Sequence, residues 1–293
     1  MTTIKSLFIR TCLLCLSAGL LTIASFSATA VSITDTTSKH NLSTLGAGQN
    51  SGSTSTEVCV YCHTPHGADA NADTPLWNKS LTAVAATGYT RYLSSTIDGS
   101  NAGTATSPSL ACLSCHDGAQ AMDAVINAPG SGGYVAAGAS LAGGSGATMT
   151  GTVSAPDAPG NFIPNLTTDL SDDHPISIQY AGGGCDNGTA VDCTSAGDFN
   201  DKDFNDAQRT DINLAPVWWV DTPGFGTANV RDKTDMFLYT RTDAAAANIP
   251  EPFVECGSCH DPHNVDSGLT AETVQFLRVA NTSSVVCTTC HDK

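Results

Sequence analysis

The sequence predicts mostly irregular coil with short helices and a few small strands, wrapped around bulk that its own side chains do not supply. Three observations carry this. Aromatics make up 6% of the 293 residues, glycine occurs 27 times, and much of the 41% hydrophobic fraction is alanine, which leaves few large side chains to fill a core. Few windows sustain the 3.6-residue apolar periodicity of a packed helix. Four C-x-x-C-H units mark points where a foreign group can be held covalently.

The chain opens MTTIKSLFIRTCLLCLSAGLLTIASFSATA. Lys5 and Arg10 give a basic start, an apolar run follows, and Ala28-Thr29-Ala30 ends it with small residues. Residues 1–30 therefore read as a secretory signal peptide, and the compartment as secreted, at the cell surface or extracellular, with the periplasm as alternative. A membrane anchor would need a longer apolar run, unbroken by Ser and Thr. No membrane span is expected in the mature chain, residues 31–293. All 28 acidic residues lie beyond residue 30 with 10 of the 12 basic ones, so that chain carries a net charge of −18. Such a charge excludes nucleic acid as a partner, because phosphate contacts need basic patches. It suits a solvated extracellular surface.

Eight cysteines form the units Cys59-Cys62-His63, Cys112-Cys115-His116, Cys256-Cys259-His260 and Cys287-Cys290-His291. Zinc sites or plain disulfides would explain paired cysteines, but not a histidine after every pair. Histidine is only 8 of 293 residues, so four such followers by chance are negligible. Covalent attachment of four haem c groups explains all four: the thiols add to the vinyl groups and the histidine ligates iron. The predicted fold is then a multihaem chain wound around a stack of covalent haems. Cys185 and Cys193 flank a Gly/Asn/Asp turn and read as a local disulfide in an oxidising compartment.

Four histidines remain for four irons: His40, His66, His174 and His263. That equality points to paired histidine ligands throughout, with Met122, Met149 and Met236 as the competing donors. "CVYCHTPH" and "CGSCHDPH" repeat C-x-x-C-H-x-P-H, so His66 and His263 are equivalent. Residues three apart on a helical turn lie side by side, and three residues cannot wrap a porphyrin edge. Each must therefore serve a neighbouring iron. Proximity along the chain assigns His66 to the Cys112/Cys115 unit and His263 to the Cys287/Cys290 unit. His174 then serves the unit of His63 or of His260.

The chain reads as two uneven copies of one plan: haem pair 1–2 in residues 31–116, an insertion over 117–255, and haem pair 3–4 in 256–293. Residues 117 to 160 are rich in Gly, Ala and Ser and are expected to be a loop. "VWWV" and "MFLYT" look like short strands. In "DFNDKDFND", Asp201, Asp203 and Asn205 match the start of a calcium loop, but Asp206 and Ile212 stand where Gly and Glu are needed. A solvated acidic turn is the better reading.

"HNLS", "CVYCHTPH", "CLSCHDG", "DDHPIS", "VECGSCHDPH" and "FLR…CTTCH" resemble the multihaem c-type cytochromes with doubled motifs. In order and number they are most similar to extracellular tetrahaem cytochromes of the OmcE type, which form haem-threaded filaments. The resemblance implies a head-to-tail homopolymer with one distal histidine donated across the subunit interface. His40, ten residues into the mature chain and followed by Gly and Ser, is the expected joint. The alternative is that it folds back onto the haem held by His63 of its own subunit. The expected function is electron transfer outside the cell, with a redox protein, mineral or electrode as acceptor. A soluble periplasmic shuttle shares that chemistry. A multihaem reductase needs an iron with an open position, and the histidine count leaves none, so no enzyme is expected.

Overall fold

β-branched and aromatic residues concentrate between 208 and 254, and the largest sheet forms there. The computed structural model describes residues 32–46, 55–81, 88–99, 101, 107–130, 133–149, 165–184, 199–241, 250–264 and 276–292. The expected signal peptide and the expected Cys185–Cys193 disulfide lie outside the described residues. In chain order the strands are β1 Thr90–Arg91, β2 Ala124–Asn127, β3 Tyr134–Ser140, β4 Asp169–Leu170, β5 Ile178–Gln179, β6 Gln208–Ile212, β7 Ala215–Val220, β8 Met236–Arg241 and β9 Glu251–Val254. The helices are α1 Ser109–His116, α2 Cys256–Cys259 and α3 Val285–Cys290. Among the described residues, no helix is long and apolar enough to cross a membrane.

The main sheet is antiparallel with order β5-β9-β8-β7-β6. Asn213 and Leu214, at φ 52° and 67°, turn the β6–β7 hairpin with the two left-handed residues that a tight two-residue connection requires. Trp218, Val220, Met236 and Leu238 pack from this sheet against Tyr180, Phe199 and Val279, and Cys259 and Cys290 lie on the same cluster. The sheet is thus a floor under the third and fourth cysteine units. It is larger than the few small strands expected, although "VWWV" and "MFLYT" do lie in β7 and β8.

The Gly/Ala-rich stretch also differs from the expected loop. Ala124–Asn127 and Tyr134–Ser140 form the antiparallel pair β2–β3, and Gly138, at φ +80°, lies in the bulged part of that pair. Small side chains hide a strand from its sequence, because they pair without a marked apolar face. β2 buries Val125 and Ile126, and Val125 packs with Leu42, Tyr61 and Leu141 in a cluster that touches Cys62. Trp77, Leu81, Leu110, Leu113 and Leu170 form another cluster, against the opposite side of the first unit and along α1. Asn78 fastens these parts, donating to the Val60 and Asn127 carbonyls at 2.6 and 3.0 Å and accepting from Asn127 N–H at 2.9 Å. Buried Lys79 donates to the carbonyls of Ala121, Met122 and Ala124.

Candidate haem sites

Each C-x-x-C-H unit is one helical turn, which sets its two cysteines on the same side. In three units the histidine N–H closes the turn on the carbonyl of the first cysteine: His63 on Cys59 at 2.8 Å, His260 on Cys256 at 3.1 Å and His291 on Cys287 at 2.9 Å. The Cys112 unit is the C-terminal half of α1.

The same three units share a backbone brace. An antiparallel bridge joins His63 to Trp77, His260 to Leu277 and His291 to Phe204. In each, the brace donates to the carbonyl before the histidine (Asn78 to Cys62, Arg278 to Cys259, Asn205 to Cys290). In return the residue after the histidine donates back: Thr64 to Leu76, Asp261 to Phe276, and Asp292 to Asp203. Leu76 and Phe276 both sit in the left-handed region, at φ 56° and 70°. The repeat therefore lives in the backbone, because "LWN", "FLR" and "DFN" share little chemistry.

The third brace corrects the reading of residues 201–205. The Asn205 side chain donates to the Thr288 and Thr289 carbonyls at 2.9 and 3.0 Å, and Tyr180 O–H donates to the Asn205 carbonyl at 2.8 Å. The turn is docked on the last unit, and its Phe204 ring lies 4.4 Å from His291.

The histidine rings come together in pairs. His63 and His263 stand 6.1 Å apart between ring centroids, 16° from parallel. His40 and His116 stand 6.1 Å apart at 70°. Two imidazoles on opposite faces of one ion hold their centroids about 6 Å apart, since each metal–nitrogen bond is ~2.0 Å and each ring centre lies ~1 Å further back. Both spacings match that value. His263 thus faces His63, and not the Cys287/Cys290 unit to which chain proximity assigned it. His40 lies beside His116 of its own chain, rather than beside His63.

Tautomers agree with ligation. His63 Nδ1 lies 2.8 Å from the Pro75 carbonyl, His40 Nδ1 3.2 Å from Pro262, and His174 Nδ1 2.9 Å from Pro175. A carbonyl only accepts, so each Nδ1 carries a proton, the arrangement that leaves Nε2 as the ligating atom of a histidine. His263 Nδ1 lies 3.4 Å from Asp261 Oδ1, which plays the same part. Burial, with His116 beside it, holds His40 down at about 4, so its ring is neutral as a ligand must be. His40 is further fixed by stacking on Phe276 at 3.9 Å. Its segment is not a free arm: Ser32 bridges Asn264, and Asn41, Leu42 and Ser43 are buried.

His66 and His174 are exposed, and the structure does not bring His66 to the Cys112/Cys115 unit through any ring contact. The His66 carbonyl accepts from Thr64 Oγ1 at 2.8 Å and Asn127 Nδ2 at 2.6 Å. Met236 fills the sheet core and Met122 is fully buried, so both act as packing.

Burial pushes Cys62 up to about 12 and raises Cys290, so neither is a ready thiolate. Among the described residues the eight cysteines form no disulfide, and no three His, Cys, Asp or Glu side chains converge as a zinc site requires. Trp77, edge-on to His63 at 5.8 Å, has a buried indole N–H without an acceptor, a donor that a bound group could satisfy. No protein-family model, curated protein or solved structure matches the chain. The donor set and its spacing therefore carry the functional reading.

Sequence reasoning missed Glu255. This carboxylate is 1% exposed and joins the start of α1 to the third unit. Its signal was present in "VECGSCHDPH", where it stands directly before Cys256.

Proposed function

We propose that the chain is a secreted tetrahaem c-type cytochrome that carries electrons outside the cell, with two histidines at every iron. The single observation supporting this most strongly is the near-parallel His63–His263 pair at 6.1 Å, built from a unit histidine and a spare one. When bound, the haems supply reversible one-electron chemistry. The chain's own residues attach them through eight cysteines, orient the ligating rings through Nδ1 contacts, and fill the iron coordination so that no position is left for a substrate.

The two-fold plan completes the ligand set. If units one and three are equivalent, the His63–His263 pair has His66–His260 as its counterpart. By the same relation, His40–His116 has His174–His291. All eight histidines are then used, and the doubled motifs exchange their second histidines.

Assembly into a head-to-tail homopolymer belongs to the proposal through the resemblance in motif order, with a redox protein, mineral or electrode as acceptor. A soluble periplasmic shuttle is the second reading. It is favoured by one observation: His40 lies against His116 of its own chain, so that unit borrows no ligand. Mass spectrometry of the secreted protein tests the cofactor, and four covalent haems are expected. Electron microscopy of the same sample separates filaments from monomers.

A further inference from the structure

We propose that Glu255 is a fixed buried negative charge that holds down the reduction potentials of the two haem units meeting at Cys112 and Cys256. The inference rests on the tetrahaem reading above.

Glu255 Oε2 accepts from Ser107 Oγ, from Ser109 Oγ at 2.6 Å and from Ser177 Oγ at 3.1 Å, and Oε1 takes Arg241 Nη1 at 3.2 Å. Ser107 Oγ already accepts the Ser109 N–H at 3.0 Å, and Ser109 Oγ the Cys256 N–H at 2.9 Å. Each hydroxyl therefore has its one proton left for the carboxylate. Three hydroxyl protons and the obligate donor Arg241 around one carboxylate favour its ionised form. Burial pushes the group upward from its ordinary value, while the three serines and Arg241 pull it back.

The position matters as much as the charge. Ser109 begins the helix that carries Cys112, Cys115 and His116, and Glu255 precedes Cys256 directly. Ser109, at the start of that helix, accepts the Cys256 N–H at 2.9 Å, so the second and third units meet here. One carboxylate thus sits at the seam between two attachment points, with both partners of its ion pair almost wholly buried. Charges act strongly where water does not screen them. Ferric haem carries one more positive charge than ferrous haem, so a negative neighbour favours the oxidised form and lowers the potential.

An optical redox titration of the holoprotein, run beside a covalent haem count, tests this. In Glu255→Gln, nearly the same shape, two of the four midpoints should rise and the other two stay. Glu255→Asp keeps the charge and should bring both back toward the wild-type values. Asp211→Asn removes an exposed charge and should move none. Four attached haems with unmoved midpoints in Glu255→Gln would overturn the proposal while leaving the tetrahaem reading intact. Fewer than four haems in the wild type would instead overturn that reading. If Glu255→Gln does not fold, Ser177→Ala removes one donor from the same oxygen, on a segment outside both units. The less neutralised carboxylate should then move the same two midpoints down. No movement, or a rise like that of Glu255→Gln, would mean packing and not charge, and would overturn the proposal.

Discussion

The rings of His63 and His263, from opposite ends of the chain, stand 6.1 Å apart and 16° from parallel. Under the tetrahaem proposal, this contact pairs the two histidines at one iron. In His263→Ala, the unit of His63 should lose its low-spin signal while four haems stay attached. His66→Ala should do the same to the unit of His260. Paramagnetic resonance combined with a haem count checks both, and a change at the Cys112/Cys115 unit in His66→Ala would contradict the two-fold exchange.

The His40 ring stands 6.1 Å from that of His116 in the same chain. His40→Ala should convert the Cys112/Cys115 iron to high spin without altering the mass of any assembly measured by light scattering. Loss of assembly in that variant would restore the joint that motif order implies.

Asp261 supports His263 twice, accepting its backbone N–H at 2.9 Å and facing its ring at 3.4 Å. Contact with His263 holds the Asp261 carboxyl below its ordinary value. The support is therefore fully present above about pH 3.9 and is lost as pH falls through the depressed folded value. Asp261→Asn should weaken the His263 bond by about 10- to 100-fold. Competition by added cyanide, followed optically, should reach that iron first in the variant.

Arg278 donates to the Gly257 carbonyl through Nε at 3.1 Å and Nη2 at 2.9 Å, and to Lys233 through Nη1 at 3.2 Å, while lying 3.7 Å from the Phe237 ring centre. Arg278→Met takes this donor from the part-buried Gly257 and Lys233 carbonyls and should cost about 1–3 kcal/mol of stability. Urea denaturation of the holoprotein measures it.

The cysteine units were legible because C-x-x-C-H is a contiguous spacing, and the structure folds these units into single helical turns. "VWWV" and "MFLYT" were legible as strands for their bulk. Tyr134–Ser140 was not, since a strand of small residues has no apolar face to read. The histidine contacts depart from chain order for a different reason. Chain proximity ranks His263 with Cys287, whereas its ring lies beside that of His63, and the bridges at Trp77 and Leu277 give the His63 and His260 units the same backbone. Residues 201–205 were tested against calcium chemistry, whereas their backbone is used by the last unit. A backbone role leaves almost no mark on side-chain identity.

Low-temperature paramagnetic resonance of the purified wild-type protein at neutral pH tests the central claim most directly. Paired histidines at every iron require the low-spin signals to integrate to all four haems. A high-spin signal integrating to one iron or more would contradict it, and would mean an open coordination position.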